Sequence, residues 1–187
     1  MELMICPFCK KQSLTLSMVT EEIPYFGKIL ILTTKCENCG FKHTDVFNVE
    51  IKETLSYRVS IERSEDLKIK VVRSSSGTII IPELGVKIEP GFHAQGFVTN
   101  VEGILNRIED VLKSQLEVRK GRKLKRVKEL LKKIKRMKEG KEKFKLIIKD
   151  PFGNSGIVSK KAKKRRMSEK EIKKLKSGMT ILELTKK

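Results

Sequence analysis

The chain has no tryptophan, and aromatic residues make up only 5% of its 187 positions. Capture of ligands mainly by aromatic stacking would need more. No stretch of about 18 apolar residues occurs, so no helical membrane span is expected. The first ten residues lack the basic segment and apolar stretch of a secretion signal, which predicts a cytoplasmic protein. Only two histidines occur, His43 and His93. A β-barrel oxygenase would need two histidines and a carboxylate on one metal, and His93 has no second histidine in its own region. No Walker-type phosphate loop is present, and Ser74-Ser-Ser-Gly77 lacks the pattern of a nucleophile elbow. These absences predict a binding protein with no catalytic residues, not an enzyme.

Charge is plentiful, at 35% of residues, and apolar residues reach 39%, enough for a core. The net charge is +19 and lies entirely in one half. Residues 1–100 hold 12 basic and 12 acidic side chains, whereas residues 101–187 hold 30 and 11. A neutral front and a basic back imply an acidic partner or a nucleic acid near the back, or helices kept soluble by lysine.

The four cysteines form two close pairs, Cys6-Pro-Phe-Cys9 and Cys36-Glu-Asn-Cys39. Within each pair the two intervening residues let both thiolates face one ion while backbone amides turn toward sulfur. Two such knuckles complete a tetrahedral four-sulfur site, so Cys6, Cys9, Cys36 and Cys39 are the expected ligands of one structural zinc. Such a site has no open position for water or substrate. Disulfides are disfavoured in a reducing cytoplasm. His43 follows Cys39 closely, but four cysteines already fill the shell.

Periodicity outlines the rest. Leu14, Leu16 and Met18 alternate with polar residues, and Ile29–Leu32 is a short apolar run; these predict the two strands joining the cysteine pairs. Ile23–Gly27 reads as a turn. Leu55, Tyr57, Val59 and Ile61 alternate cleanly, and Leu67, Ile69 and Val71 repeat the pattern. Short strands follow at 78–81 and 86–88, a spacing that suggests a sandwich, barrel or jelly roll. At residue 99 the period becomes helical: Val101, Ile104, Leu105 and Ile108, then Leu124, Val127, Leu131 and Ile134. Thr99 and Glu102 have capping-box spacing, and Gly140 can cap the second helix. Strand character returns at Phe144–Ile148 and after the Asp150–Asn154 turn, so the two helices are an insertion within a β region. Their stripes are expected to bury against one another. Residues 159–166 read as loose, and Ser168 with Glu171 as the cap of a short helix ending near Gly178.

The domains expected are a zinc ribbon over 1–50, a β domain over 51–158 with a helical hairpin at about 99–140, and a basic tail over 159–187. Lys120, Arg122, Lys123, Lys125, Arg126 and Lys128 cluster near the hairpin tip, where they suit RNA phosphates or an acidic protein surface equally. Lys163–Arg166 form a second basic cluster.

Several segments together resemble the ZPR-type zinc-finger family. They are the two cysteine knuckles, Ile23-Pro-Tyr-Phe26, Ser76-Gly-Thr-Ile-Ile-Ile-Pro-Glu-Leu-Gly85, Val98-Thr-Asn-Val-Glu-Gly103 and Asp150-Pro-Phe-Gly-Asn-Ser155. The resemblance spans roughly residues 1–158. It implies a mostly β fold: an N-terminal zinc ribbon, then a double-stranded β-helix (jelly-roll-like) domain with an inserted α-hairpin. It also implies an adaptor or chaperone that binds a translation elongation factor of the one-alpha type. The chain carries one module where eukaryotic members carry two, so it looks like a prokaryotic, archaeal form. The competing expectation is a ribosome- or RNA-binding zinc-ribbon protein. Phe8 and Phe41, beside the knuckles, are expected either to anchor a partner or to cover the zinc sulfurs.

Overall fold

The structure is a computed structural model that describes residues 3–23, 27–49, 53–91 and 94–176. Its strands form three antiparallel sheets. The first holds β1 (Met4–Ile5), β2 (Gln12–Ile23), β3 (Gly27–Cys36) and β4 (Lys42–Asn48), side by side in chain order. The second has five strands, and the first of them in the chain is β5 (Leu55–Ile61). A three-stranded sheet centres on β6 (Lys70–Arg73). The remaining elements are β7 (Thr78–Ile81), β8 (Val86–Ile88), β9 (Phe97–Asn100), α1 (Val101–Ser114), α2 (Gly121–Lys138), β10 (Phe144–Lys149), β11 (Gly156–Val158), β12 (Lys163–Arg166) and α3 (Glu169–Lys173). The five-stranded order is β12-β5-β10-β7-β8, and the three-stranded order is β11-β6-β9. Apart from β7 and β8, neighbours in these two sheets are not consecutive in sequence, in keeping with a jelly roll.

The alternation in β5 sets the main core. Tyr57, Val59 and Ile61 point inward beside Phe144, Leu146 and Ile148 of β10 and Ile79 and Ile81 of β7. Val71 of β6 and Ile157 of β11 close the core from the other sheet. Val101, Ile104, Leu105 and Ile108 of α1, with Ile134 and Met137 of α2, belong to the same core. The hairpin stripes therefore bury against the sheets as well as each other, which corrects the expected self-contained hairpin. A pair of helices offers too little mutual surface for two stripes this wide, whereas each fully buried aliphatic side chain gains about 1.5–3 kcal/mol.

Local chemistry shifts three sequence expectations. Leu67 lies in a 3-10 helix over Ser64–Lys68, not a strand. The Asp66 carboxylate accepts from the Glu62 and Arg63 amides and folds that segment into a turn. Helix α1 is capped by Asn100, whose side chain accepts from the Gly103 amide at 2.8 Å, one residue after the expected Thr99. The stretch 159–166 is not loose: Lys163–Arg166 pair with β5, and Met167 behind them is buried. Two caps stand as read. Gly140 donates to Met137 and Lys141 to Arg136, closing α2, and Ser168 and Glu171 form a reciprocal capping box on α3. Helix α3 ends at Lys173 with Lys174 as its C-cap, five residues short of the expected end near Gly178. The turn at Ile23–Gly27, the boundary at 50–51 and His93 fall wholly or partly outside the described residues.

The Asp150–Ser155 segment has a physical role. Asp150 is fully buried and accepts from the hydroxyls of Ser74 (2.6 Å), Ser76 (2.7 Å) and Ser155 (2.6 Å), and from the Phe152 amide (2.9 Å). The 74–77 loop and the 150–155 turn are thereby pinned together. The next residue, Ser75, reaches outward to Asp45 of β4, donating its amide at 2.9 Å and its hydroxyl at 2.5 Å. Gly96 also meets β4, donating to Thr44 O at 2.8 Å, and a Cβ there would lie 2.6 Å from the Val46 nitrogen. Behind these polar ties, Ile23, Ile29 and Val46 pack on Val72, with Val98 and Val158 at the margin. The first sheet is thus docked on the outer face of the three-stranded sheet.

Candidate metal centre

The two knuckles are built alike. After Cys9 the chain turns through Lys10 at φ 60, and after Cys39 through Gly40 at φ 72. Lys10 donates to Cys6 O and Gly40 to Cys36 O, each at 3.0 Å. Cys6 donates to Lys11 O at 2.9 Å and Cys36 to Phe41 O at 2.8 Å. Glycine adopts the left-handed conformation freely, whereas Lys10 adopts it at a steric cost. The β2–β3 pairing, with Leu14 opposite Cys36, brings the two knuckles together.

The sulfurs converge. Cys6 Sγ lies 3.7 Å from Cys39 Sγ, and Cys9 Sγ lies 3.7 Å from Cys36 Sγ. All four fall within 4.8 Å of one another. A regular tetrahedron of thiolates at about 2.3 Å from zinc has its sulfurs about 3.8 Å apart. The donor set is thus spaced for one four-coordinate metal, and an all-sulfur shell of this geometry suits zinc. Bound there, the metal would supply cross-linking, with no vacant position for chemistry.

The environment prepares the thiols unequally. The Ser13 hydroxyl, 3.1 Å from Cys36 Sγ, leads in lowering that thiol to about 6, against the effect of burial and helped by the Cys39 and Asn38 amides. The Lys11 amide lowers Cys9. The Phe41 amide also favours the Cys39 thiolate, but desolvation and the three neighbouring sulfurs outweigh it and push Cys39 up to about 12. Crowded sulfurs cannot all ionise alone; a dication reverses that balance and takes four thiolates. Ser13 carried no signal in the sequence, because only the pairing of β2 with β3 brings it beside Cys36.

Phe8 and Phe41 stack at 4.8 Å between ring centroids. Phe41 packs against Cys6, Leu14 and Cys36, while Phe8 stays 61% exposed. One ring therefore shields the sulfurs and the other faces solvent. His43 sits on β4 opposite Thr34, outside the sulfur cluster. The hairpin cluster from Lys120 to Lys128 is exposed around the start of α2, and Lys163–Arg166 form the edge strand β12.

Two family models match the chain: a ZPR1 zinc-finger domain over residues 1–52 and a ZPR1 jelly-roll domain over 65–183. The chain belongs to the ZPR1 family. A ZPR1-like protein of Methanocaldococcus jannaschii is 44% identical over 96% of this chain and 91% of its own length. One from Pyrococcus horikoshii is 43% identical over 95% and 82%. The fission yeast zinc finger chaperone zpr1 is 30% identical over 83% of this chain but only 34% of its own length. The ZPR1 match accounts for both the cysteine knuckles and the jelly roll, and the archaeal relatives share the one-module length. The four cysteines of this ZPR1 zinc finger are placed to hold one metal ion.

Proposed function

We propose that Cys6, Cys9, Cys36 and Cys39 bind one structural zinc, and that the chain is a cytoplasmic adaptor or chaperone for a translation elongation factor of the one-alpha type. The observation that carries the reading is an apolar strip that starts at the metal centre and runs out along one face of the first sheet. By register, Leu14, Leu16 and Met18 of β2 share that face with Leu30 and Leu32 of β3 and Phe47 of β4. Leu16 is 38% and Met18 65% exposed, and Met4, opposite Leu14, is 40% exposed. The opposite face carries Ile23, Ile29 and Val46, which pack on the jelly roll. Buried apolar anchors supply most of the affinity in protein contacts. A metal-fixed sheet offers them at a small ordering cost. The chaperone named among the relatives supports a protein client, and the family resemblance supports the elongation factor.

Surface plasmon resonance with the purified elongation factor that delivers aminoacyl-tRNA tests this. Binding is expected with metal present, to persist at moderate salt, and to vanish on zinc chelation. Met18→Glu is expected to weaken it at least tenfold. Absence of binding at low salt with metal present, in either nucleotide state of the factor, would overturn the reading.

A further inference from the structure

The outward face of the five-stranded sheet is basic, and no part of the metal centre uses it. Inward residues of β5 and β10 fill the core, and their alternates lie on the other face, where Ser56 and Ile147 are covered. Arg58 and Ser60 of β5 and Lys145 of β10 are exposed, and Lys163 of β12 joins them because it pairs directly with Arg58. Together with Glu62 and Lys161 they line a shallow depression of about 380 Å³. Lys161 is held by Asp66 at 2.5 Å. Farther along the same face, Lys149 and Arg165 share the Glu171 carboxylate. Among the described residues no ion pair occupies Arg58, Lys145 or Lys163.

Beyond Lys145 the face gives way to Glu83 and to α2, where Lys133 is paired with Glu142. The Lys145 amide donates to the Glu83 carboxylate at 3.0 Å, and Lys133 of α2 donates to the Glu83 carbonyl at 2.7 Å. Charges from β5, β10 and β12 thus meet on one face of the sheet, although in sequence they are scattered from 58 to 163. Strand spacing sets them about 5 Å apart across the sheet and about 7 Å apart along it.

We propose that this face binds the phosphodiester backbone of single-stranded RNA. A protein partner would ask for exposed apolar anchors; the apolar residue between these cations, Ile147, is itself buried at 8% exposure. A phosphate backbone needs only cations and hydroxyls, and Ser60 supplies a hydroxyl able to meet a ribose 2′-OH. Duplex is disfavoured because the face of a sheet projects no helix or ribbon into a groove. With no aromatic ring on the face, bases are not stacked and sequence is not read. The surface differs from the hairpin-tip cluster that the sequence singles out, and it is independent of the elongation-factor reading.

Fluorescence anisotropy with the full chain and a labelled single-stranded RNA of mixed sequence tests it. Three phosphate contacts predict a salt slope of about −2, so raising KCl from about 50 to about 200 mM lowers affinity about twentyfold. The combined variant Arg58→Glu, Lys145→Glu, Lys163→Glu is expected to lose at least tenfold, with an unchanged circular dichroism melt. The corresponding glutamine variant, which adds no repulsion, is expected to lose less and serves if the reversal unfolds. Arg122→Glu with Lys125→Glu, at the start of α2, is expected to keep most of the affinity. No RNA binding by the unaltered chain at low salt, or full binding by the sheet variants, overturns the proposal. So does displacement of RNA by poly-glutamate at equal charge, which would favour an acidic protein, or tighter binding of DNA of the same sequence. None of these outcomes bears on elongation-factor binding.

Discussion

The Ser13 hydroxyl is the polar side chain 3.1 Å from Cys36 Sγ, and it stabilises that thiolate. Groups that bond a metal's ligands commonly change affinity by about 10–100-fold. Ser13→Ala is expected to weaken zinc binding at least tenfold in competition with a chromogenic chelator, with the sulfur geometry retained. A second residue-scale test concerns Glu171. Arg165 grips its carboxylate at 2.6 and 2.7 Å, and with help from Lys149 and the Ser168 amide lowers it far below the ordinary range. A depressed acid stabilises the fold above its unfolded value and loses that contribution as pH falls toward the folded one. The melting difference between the native chain and Glu171→Gln should therefore be full at neutral pH and shrink below about pH 4, the ordinary glutamate range. A difference that is constant down through acid would show that Glu171 does not hold α3 by charge.

At the scale of elements, the hairpin is part of the core. Ile104, Leu105 and Ile134 are at most 1% exposed and pack with the sheets. Replacing 101–139 by a short flexible loop is expected to yield aggregated or unfolded protein, read by size-exclusion chromatography and circular dichroism. A soluble, cooperatively folding loop variant would return the helices to the status of an appendage. Ile104→Ala, a milder test, should cost about 2–5 kcal/mol in urea unfolding. The helices themselves were legible from their 3.6 period, and so was the alternation of β5. Their destination was not, because periodicity gives the apolar face of a helix and not the surface that covers it. The 3-10 helix at Ser64–Lys68 was likewise hidden, since Leu67, Ile69 and Val71 keep the strand pattern while the Asp66 carboxylate reorganises the amides before them.

Across the whole molecule, the ribbon and the jelly roll are joined by Val46 on Val72, by Asp45 with Ser75, and by Gly96 against β4. We propose that the folding units divide near residue 50. Chelation of zinc, or Cys36→Ser, removes a metal worth about 10–16 kcal/mol in small zinc domains. The ribbon is then expected to unfold while the jelly roll stays folded at a lower melting temperature, exposing the Val72–Val98 face to a hydrophobic dye. A single transition for the entire chain, with loss of all β signal, would contradict that division.

The cysteine spacing by itself marked two pairs of thiols, because two thiols separated by two residues can turn toward one ion; the β2–β3 pairing brought the two pairs together. Alternation marked β2, β5 and β10 but not β12, and a helical period inside a β region determined that a hairpin is inserted. Tertiary structure alone decided which faces meet. It placed Ser13 beside Cys36, joined Ser74, Ser76 and Ser155 around Asp150, and turned the basic segment 163–166 into a strand whose Lys163 lies beside Arg58. These pairings span up to 105 residues of chain. Local preference reaches only a few residues, and such distant partners are selected by what the closed core leaves within reach.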